Sequence, residues 1–415
     1  MREGLGNRNI LLLSLCEMLF VGTLSIGNTL VGLVSMTLVS DKSLATVPYA
    51  VMTAMAAAST IGASFLMQRV GRRWGFVFGA FTCVVAGVMC LSGIYAGQFW
   101  IFCLGYGLVG TFKAFAQYYR FAAADTPFER EKTMAVSLTL AGGLFGALGG
   151  PLLGASSRDL LAPVQFAGSF LTIGALGVVS LLLASGLNIR SSSSKTAEPA
   201  GTGRPLAVIA KQPAFKAAII NAAIGYGAMA GIMIASPLAI VAEGYPPGYA
   251  AIVMQWHLVG MYGPSFFTGK LIQRFGTSRV MYAGALSFVA SVMVALAGRT
   301  MPYFCAALFL CGIGWNFIYV GSTILLTSTY RPEEKAKVQA ANEFVLFCVV
   351  TVVSLATGVI FAGLGWTALN LCALPLIAMS VLALFASESG KWRQLPSGAD
   401  PDAAAAILPR EELAR

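Results

Sequence analysis

The segment at residues 66–80, LMQRVGRRWGFVFGA, returns 205 residues later as LIQRFGTSRVMYAGA, at residues 271–285. The two copies align without gaps and share Leu, Gln, Arg, Gly, Gly and Ala. Glycine and basic residues between two long apolar stretches are typical of a tight turn between helices. The repeat therefore predicts two similarly built halves, in each of which one copy joins the second helix to the third.

The apolar stretches around the repeat are long enough to cross a membrane. Hydrophobic residues make up 57% of the 415 residues, charged residues make up 11%, and the mean hydropathy is +0.77. Runs of about 20 apolar residues, which span a hydrocarbon core of roughly 30 Å, recur along the chain. The pattern predicts an all-α membrane protein with twelve transmembrane helices in two six-helix bundles, at residues 10–36, 47–67, 75–96, 98–122, 133–155, 164–187, 215–241, 249–270, 280–298, 302–328, 338–361 and 366–387.

The hydrophobic pattern is interrupted in the middle of the chain, where Ser, Pro, Gly and basic residues are frequent. We expect an amino-terminal bundle at 1–187, a cytoplasmic linker at 188–214, a carboxy-terminal bundle at 215–388 and a cytoplasmic tail at 389–415. No Walker motif, catalytic triad or soluble domain is found, which argues against an ATP-driven pump or an enzyme. The eight cysteines lie within predicted spans without a CxxC motif, so no disulfide framework is expected.

Lysine and arginine in connecting segments set the orientation, because they stay on the cytoplasmic side during insertion. With both termini inside, 23 of the 27 basic residues fall on cytoplasmic segments, Lys42, Arg158 and Arg299 fall outside, and Lys113 lies within a span. The net charge of +10 is therefore interpreted as a topology signal that needs no nucleic-acid partner.

Four residues of the first copy of the repeat fit a G-x-x-x-D-R-x-G-R-R pattern, namely Arg69, Gly71, Arg72 and Arg73. In this segment the chain resembles the major facilitator superfamily. The acid of the pattern is replaced by Gln68 and, in the second copy, by Gln273, so its charge-relay role does not carry over. The resemblance covers essentially the whole chain and implies two six-helix bundles that rock around a central site near the bilayer midplane.

Charged residues inside the predicted spans are costly and are expected to have a function or a partner. Glu17 in the first helix and Lys113 in the fourth lie at similar depth, and we expect them to pair across the cavity. The pair is interpreted equally as a static ion pair or as a proton-coupling element, whereas Glu343 is expected to be interfacial. Arg120 and Asp125, at the end of the fourth helix, are expected to form a gate or a headgroup anchor.

The only histidine, His257, precedes Met261 by four residues on the eighth predicted helix, and Met229 precedes Met233 by four on the seventh. Residues four apart share a helix face, and the two helices are antiparallel. The four side chains are therefore predicted to lie about half-way through the membrane. Imidazole and thioether ligands favour Cu(I) over harder ions. The alternative is a packed histidine beside a methionine-rich core, because Met readily fills irregular gaps.

The equivalent positions in the first half hold Leu24, Asn28, Met52 and Ala56, so the set of four is confined to the second half. The motifs MxxxM and HxxxM resemble those of the CcoA-type copper importers, a branch of the superfamily, and the similarity extends to residues 255–269 and 119–125. The resemblance implies copper binding by Met229, Met233, His257 and Met261.

It further implies an importer in the inner membrane of a Gram-negative bacterium, moving copper, handled as Cu(I), into the cytoplasm for cytochrome oxidase assembly. Copper is then the transported substrate and no prosthetic group is expected. We expect membrane lipids as partners, a cytoplasmic copper chaperone as a candidate partner, no nucleic acid, and a monomeric chain.

Riboflavin transporters belong to the same wider branch, so the alternative is a carrier of riboflavin or of another small organic solute, cationic drugs included. Five aromatic residues could stack on a flavin ring: Tyr226, Trp256, Tyr262, Trp315 and Tyr319. A membrane sensor that transports nothing is the third class.

Overall fold

The computed structural model describes residues 2–123, 129–189 and 203–392. The first half contains a short 3₁₀ turn at Lys42–Thr46 and seven α-helices: α1 (Arg2–Leu38), α2 (Val47–Val70), α3 (Arg72–Tyr95), α4 (Phe99–Ala116), α5 (Tyr119–Ala123), α6 (Glu129–Ser156) and α7 (Ala167–Ser185). The second half comprises α8 (Leu206–Ile209), α9 (Pro213–Ala242), α10 (Gly248–Tyr262), α11 (Ser265–Phe275), α12 (Thr277–Ala297), α13 (Met301–Thr327) and α14 (Lys335–Trp392).

Nine helices in these described ranges are long and apolar enough to cross a membrane. One of them, α14, has 58 residues and contains two predicted spans, which are separated by a break at Gly365 with φ +76°. The fifth predicted span lies on α6, and the eighth lies on α10 and α11. The helices thus account for all twelve predicted spans, and the predicted fold class is confirmed.

The two copies of the repeat fold into the same turn. Gly71 separates α2 from α3 with φ +86° and ψ 157°, and Gly276 separates α11 from α12 with φ +85° and ψ 155°. Each glycine amide donates to the carbonyl four residues back, Gly71 to Met67 at 3.0 Å and Gly276 to Ile272 at 2.9 Å. This backbone region is almost closed to residues with a side chain, which explains the glycine in both copies.

Two predicted spans are not continuous helices, and the sequence prediction was wrong on this point. The fourth span ends as α4 at Ala116 and resumes as the short α5. The eighth is interrupted between Tyr262 and Ser265, where Pro264 has no amide hydrogen to donate, although Gly263 and Pro264 keep helical dihedrals. Asn316 of α13 supports this break, since its Nδ2 donates to the Met261 carbonyl at 2.7 Å and to Ser265 Oγ at 2.7 Å.

The halves meet where α1 packs on α9 and α10, α2 packs on α14, and α6 packs on α10. Near the 42–46 turn, Thr46 Oγ1 donates to the carbonyl of Ser354, and the hydroxyls of Thr53 and Thr351 lie 2.8 Å apart. We call this pair of contacts the turn end of the interface.

Large apolar side chains are exposed on the outside of the bundle, as expected of a surface that faces lipid: Phe81, Leu104, Leu182, Leu286 and Phe385. The chain is therefore a multi-pass membrane protein.

Part of the predicted linker is fixed to the second half. Arg204 donates from Nε to Glu334 Oε1 at 2.9 Å and from Nη2 to Glu334 Oε2 at 2.8 Å, while the same Nη2 donates to the Thr329 carbonyl at 3.0 Å. The guanidinium beside the buried Glu334 carboxylate lowers the pKa of that carboxyl. Residues 203–212 therefore belong structurally to the second bundle, whereas residues 190–202 and 393–415 lie outside the described part.

Candidate functional site

A cavity lies between the two halves, in the position expected of a central transport site. From the first half, α1 contributes Ser25 and Asn28, α2 contributes Tyr49 and Met52, and α4 contributes Lys113. From the second half, α9 contributes Tyr226, Met229 and Met233, and α10 contributes Met261 and Tyr262. The remaining lining residues are aliphatic, and Lys113 is the only charged residue among those that line the cavity.

The three methionines of the predicted copper site lie together on this cavity. Met229, Met233 and Met261 are all buried, with at most 5% of each residue exposed. Their positions follow from the sequence spacing, because one helix turn separates Met229 from Met233 on α9. Thioethers at these positions can contact an apolar solute as readily as a soft metal ion.

His257 is not among the residues that line the cavity, and metal binding by all four residues stays a prediction. A close approach of α10 to α13 explains its position, since a Cβ on Gly312 would overlap the His257 carbonyl and a Cβ on Gly260 would overlap the Phe309 carbonyl. The ring is fully buried, and Nδ1 donates to the Leu308 carbonyl at 2.8 Å. Nε2 then carries the lone pair, and it has no hydrogen-bond partner in the described part of the chain.

Lys113 reaches from α4 towards the second half. Its ammonium nitrogen lies 4.8 Å from the centre of the Phe347 ring and 5.6 Å from that of Tyr226. The charge of Glu343, on α14, acts on both Lys113 and Tyr226. Among the described residues, Lys113 makes neither a hydrogen bond nor an ion pair.

The predicted partner of Lys113, Glu17, lies elsewhere. Its side chain is placed against Gly143 of α6, and its charge acts on the buried Tyr119. The structure therefore does not bring Glu17 and Lys113 into contact in this conformation, and their functional coupling stays a prediction. Arg120 lies on α5, but its side chain is outside the described part, as is the whole of Asp125. The predicted gate or anchor formed by these two residues also stays a prediction.

Three aromatic rings lie beside the cavity. Trp315 and Tyr319 are stacked, with ring centres 4.9 Å apart and planes at 11°, and Tyr226 meets both rings edge-on at 5.6 and 5.9 Å. Tyr226 is the member that lines the cavity. The Trp315 indole nitrogen is buried and has no hydrogen-bond partner in the described ranges. The three rings pack together, and Tyr226 presents this aromatic group to the cavity.

Sequence reasoning missed two polar residues that shape the cavity. Asn28 lines it, and its amide oxygen accepts a hydrogen bond from Tyr106 at 3.2 Å, which leaves the NH₂ group to donate to a ligand. Asn316 holds the carbonyl of Met261, and its Oδ1 accepts from Thr268 at 2.7 Å. Both asparagines are polar residues inside apolar spans, and a polar residue in such a place indicates a functional or structural role. Glu343, expected at the interface with the lipid headgroups, is half-buried near the start of α14, and its interfacial position stays a prediction.

A metal centre built from charged ligands is not found in the described residues, where no group of three or more His, Cys, Asp and Glu side chains is close enough to hold an ion. The eight cysteines are free thiols, and five of them are buried. The soft ligands that line the cavity are the thioethers of Met52, Met229, Met233 and Met261.

Comparisons with known proteins agree on one superfamily. A family model described as Major Facilitator Superfamily matches residues 258–413. The riboflavin transporter RfnT of Brucella anthropi is 36% identical over 396 residues, which are 95% of this chain and 98% of that protein. YdeG of Bacillus subtilis, an uncharacterized MFS-type transporter, is 26% identical over 385 residues, which are 89% of each chain.

Among solved structures, a mutant form of the nucleoside transporter NupG superposes with a TM-score of 0.71 and covers 92% of this chain and 99% of its own. Its sequence identity is 13%, so this likeness concerns the fold alone.

Proposed function

Because the chain belongs to the major facilitator superfamily, we propose that it transports a small organic solute of the riboflavin class through the cavity between its halves. The similarity to RfnT extends over almost the full length of both proteins. It supports the alternative that the sequence left open better than it supports copper import. We also propose a bacterial inner membrane as the location, with both termini cytoplasmic, from the distribution of basic residues.

The observation that carries this proposal is the chemistry of the cavity lining. Three tyrosines, three buried methionines of the second half and several aliphatic residues provide an apolar surface, and Asn28 and Lys113 add isolated polar groups. Cavities that bind small organic molecules have this composition, with few polar groups that fix the orientation of the ligand. The Trp315–Tyr319 stack behind Tyr226 stiffens the wall on which a planar ring would lie.

Copper import is the second candidate, and one specific observation favours it. Four thioethers line the cavity, those of Met52, Met229, Met233 and Met261, and His257 Nε2 is buried without a hydrogen-bond partner in the described part. The ammonium of Lys113 opposes it, because a cation entering a desolvated cavity is repelled by a positive charge on the same wall. The positive charge on this wall therefore favours a neutral or anionic organic solute over a metal cation.

Uptake into proteoliposomes separates the two candidates. Radiolabelled riboflavin and radioactive copper, the latter kept as Cu(I) by a reductant, are offered to vesicles with and without the purified protein. We expect protein-dependent uptake of riboflavin, saturable and competed by unlabelled riboflavin, and no protein-dependent uptake of copper.

A variant with Met229, Met233 and Met261 all changed to Leu sharpens the result, because these exchanges keep volume and apolarity while they remove sulfur. Riboflavin uptake should persist in this variant. Copper uptake by the wild type that disappears in the variant, together with no uptake of riboflavin, would reverse the assignment.

A further inference from the structure

The ammonium group of Lys113 is an unusual feature of this cavity. Only 4% of the residue is exposed, the side chain lines the cavity, and it makes no hydrogen bond or ion pair with any described residue. A buried charge is costly unless something compensates it. The rings of Phe347 and Tyr226 compensate in part, through their negative faces.

Aromatic faces are weak partners for an ammonium, which has three hydrogens to donate. The carboxylate of Glu343 acts on Lys113 from beyond ion-pair contact, so it leaves those donors unused. An oxygen acceptor inside the cavity would satisfy them. The nearest ring, Tyr226, also belongs to the apolar wall formed with Trp315 and Tyr319.

We propose that Lys113 is the residue that selects the solute, by binding a carbonyl or carboxylate oxygen carried on a planar ring system that lies against Tyr226. This inference rests on the proposed function and deepens it, because it names the chemical feature that the cavity recognises. Solutes with a cationic group at the same place are excluded by charge repulsion. Neutral or anionic ring systems with an oxygen acceptor are accepted.

The position of Lys113 gives binding a second effect. The lysine comes from α4 in the first half, whereas Tyr226 and Phe347 come from α9 and α14 in the second. A solute oxygen that draws the ammonium away from these rings replaces a contact between the halves with a contact to the solute. The choice of solute and the position of one half relative to the other then both depend on the Lys113 side chain.

The test measures equilibrium binding to the purified full-length protein in lipid nanodiscs, with three fluorescent probes. Riboflavin carries ring carbonyls, anthracene-9-carboxylate carries an anionic oxygen pole, and 9-(aminomethyl)anthracene carries a cationic pole on the same ring system. We expect the wild type to bind the first two and to bind the cationic probe at least about tenfold more weakly, since hydrogen bonds to a charged group are the strong ones.

Lys113→Met keeps an apolar chain of similar length and should weaken riboflavin and anthracene-9-carboxylate about tenfold or more. Lys113→Arg should retain most of the affinity, and Lys113→Glu should reverse the preference between the two anthracenes. Lys270→Met, which removes an exposed lysine on α11, is the matched control and should bind like the wild type. Melting temperatures without ligand show whether each variant is folded. If Lys113→Met does not fold, the affinities of Lys113→Arg still test the inference.

Equal affinities of wild type and Lys113→Met for both oxygen-bearing probes would overturn the inference, as would a wild type that prefers the cationic probe or binds none of the three. If anthracene-9-carboxylate binds in a Lys113-dependent way while riboflavin neither binds nor is transported, the inference stands and riboflavin is removed from the proposed function. If Lys113→Met leaves riboflavin uptake unchanged, the proposed function stands and the inference about Lys113 is wrong.

Discussion

The two halves of the molecule share a scaffold and differ in the surfaces that they present to each other. Gly71 and Gly276 adopt the same backbone conformation 205 residues apart, with the same hydrogen bond to the residue four positions earlier. The cavity-lining residues show no such agreement in chemistry. Leu24 and Met229 line it at equivalent positions, as do Asn28 and Met233. The repeat thus preserves geometry and leaves side-chain chemistry free to differ.

The second helices of the two halves show where the symmetry fails. Met52 lines the cavity while its equivalent His257 does not, because α2 and α10 touch their neighbours at different points. The Met52 carbonyl lies against Gly110 of α4, whereas the His257 carbonyl lies against Gly312 of α13, whose equivalent is residue 107. The contact is displaced by three residues, about 4.5 Å along a helix, which changes the face that meets the cavity.

The largest effect is expected at these close contacts. Gly312→Leu places a side chain against the backbone carbonyl of His257, which cannot move aside, and should lower the free energy of unfolding by about 3 kcal/mol or more. Gly107→Leu, at the equivalent position, first meets the side chains of Val51 and Met55, while the nearest backbone oxygen lies at an ordinary contact distance, and it should be milder. Denaturant unfolding in detergent micelles measures both. Equal losses at the two positions would show that the halves pack alike after all.

A smaller effect is expected at the cavity, where Asn28 and Met233 occupy equivalent positions. Asn28→Leu removes a hydrogen-bond donor from the lining and should raise the KM for riboflavin uptake about 2- to 10-fold. Met233→Leu removes only a sulfur atom and should leave the KM nearly unchanged. Uptake kinetics in proteoliposomes compare the two variants directly. A larger defect in the methionine variant would favour the soft-metal hypothesis.

The smallest effect is expected at the Arg204–Glu334 ion pair, which fixes the end of the linker to the second half. Because Arg204 lowers the pKa of Glu334, the carboxylate stabilises the fold above the ordinary glutamate pKa, and this contribution is lost as the pH falls through the lowered value. Glu334→Gln should therefore reduce the melting temperature at pH 7, and the difference from the wild type should shrink under acidic conditions. Glu333→Gln, at the exposed neighbouring residue, serves as control. A difference that grew on acidification would contradict the assignment.

The fold could be predicted from the sequence because hydropathy and the repeat both depend on local patterns. The twelve apolar runs predicted the membrane spans, and the glycine in each copy of the repeat predicted the turns. The breaks at Gln117 and Pro264 were missed, since an apolar run has the same composition whether or not its helix is continuous. Pro264 indicated an interruption, but the continuous apolar pattern around it led to the prediction of one helix.

The site could be predicted only in part, because depth in the membrane does not determine the direction of a side chain. Met229, Met233 and Met261 line one cavity, whereas His257 is not among its lining residues and lies where α10 packs closely on α13, so the set of four stays a prediction. Likewise, Glu17 lies against Gly143 of α6, whereas Lys113 lies over the rings of Tyr226 and Phe347 in the second half. Spacing along one helix is local information, whereas the rotation of that helix against its neighbours is set by the entire bundle.

The contact at the turn end of the interface uses hydroxyl groups and carbonyls, with Thr46 bonded to Ser354 and Thr53 facing Thr351. Water can replace either partner in such a bond, so each contributes only about 0.5–1.5 kcal/mol net. Breaking these two contacts leaves no uncompensated charge behind. A latch made of such bonds gives up little polar free energy when it opens.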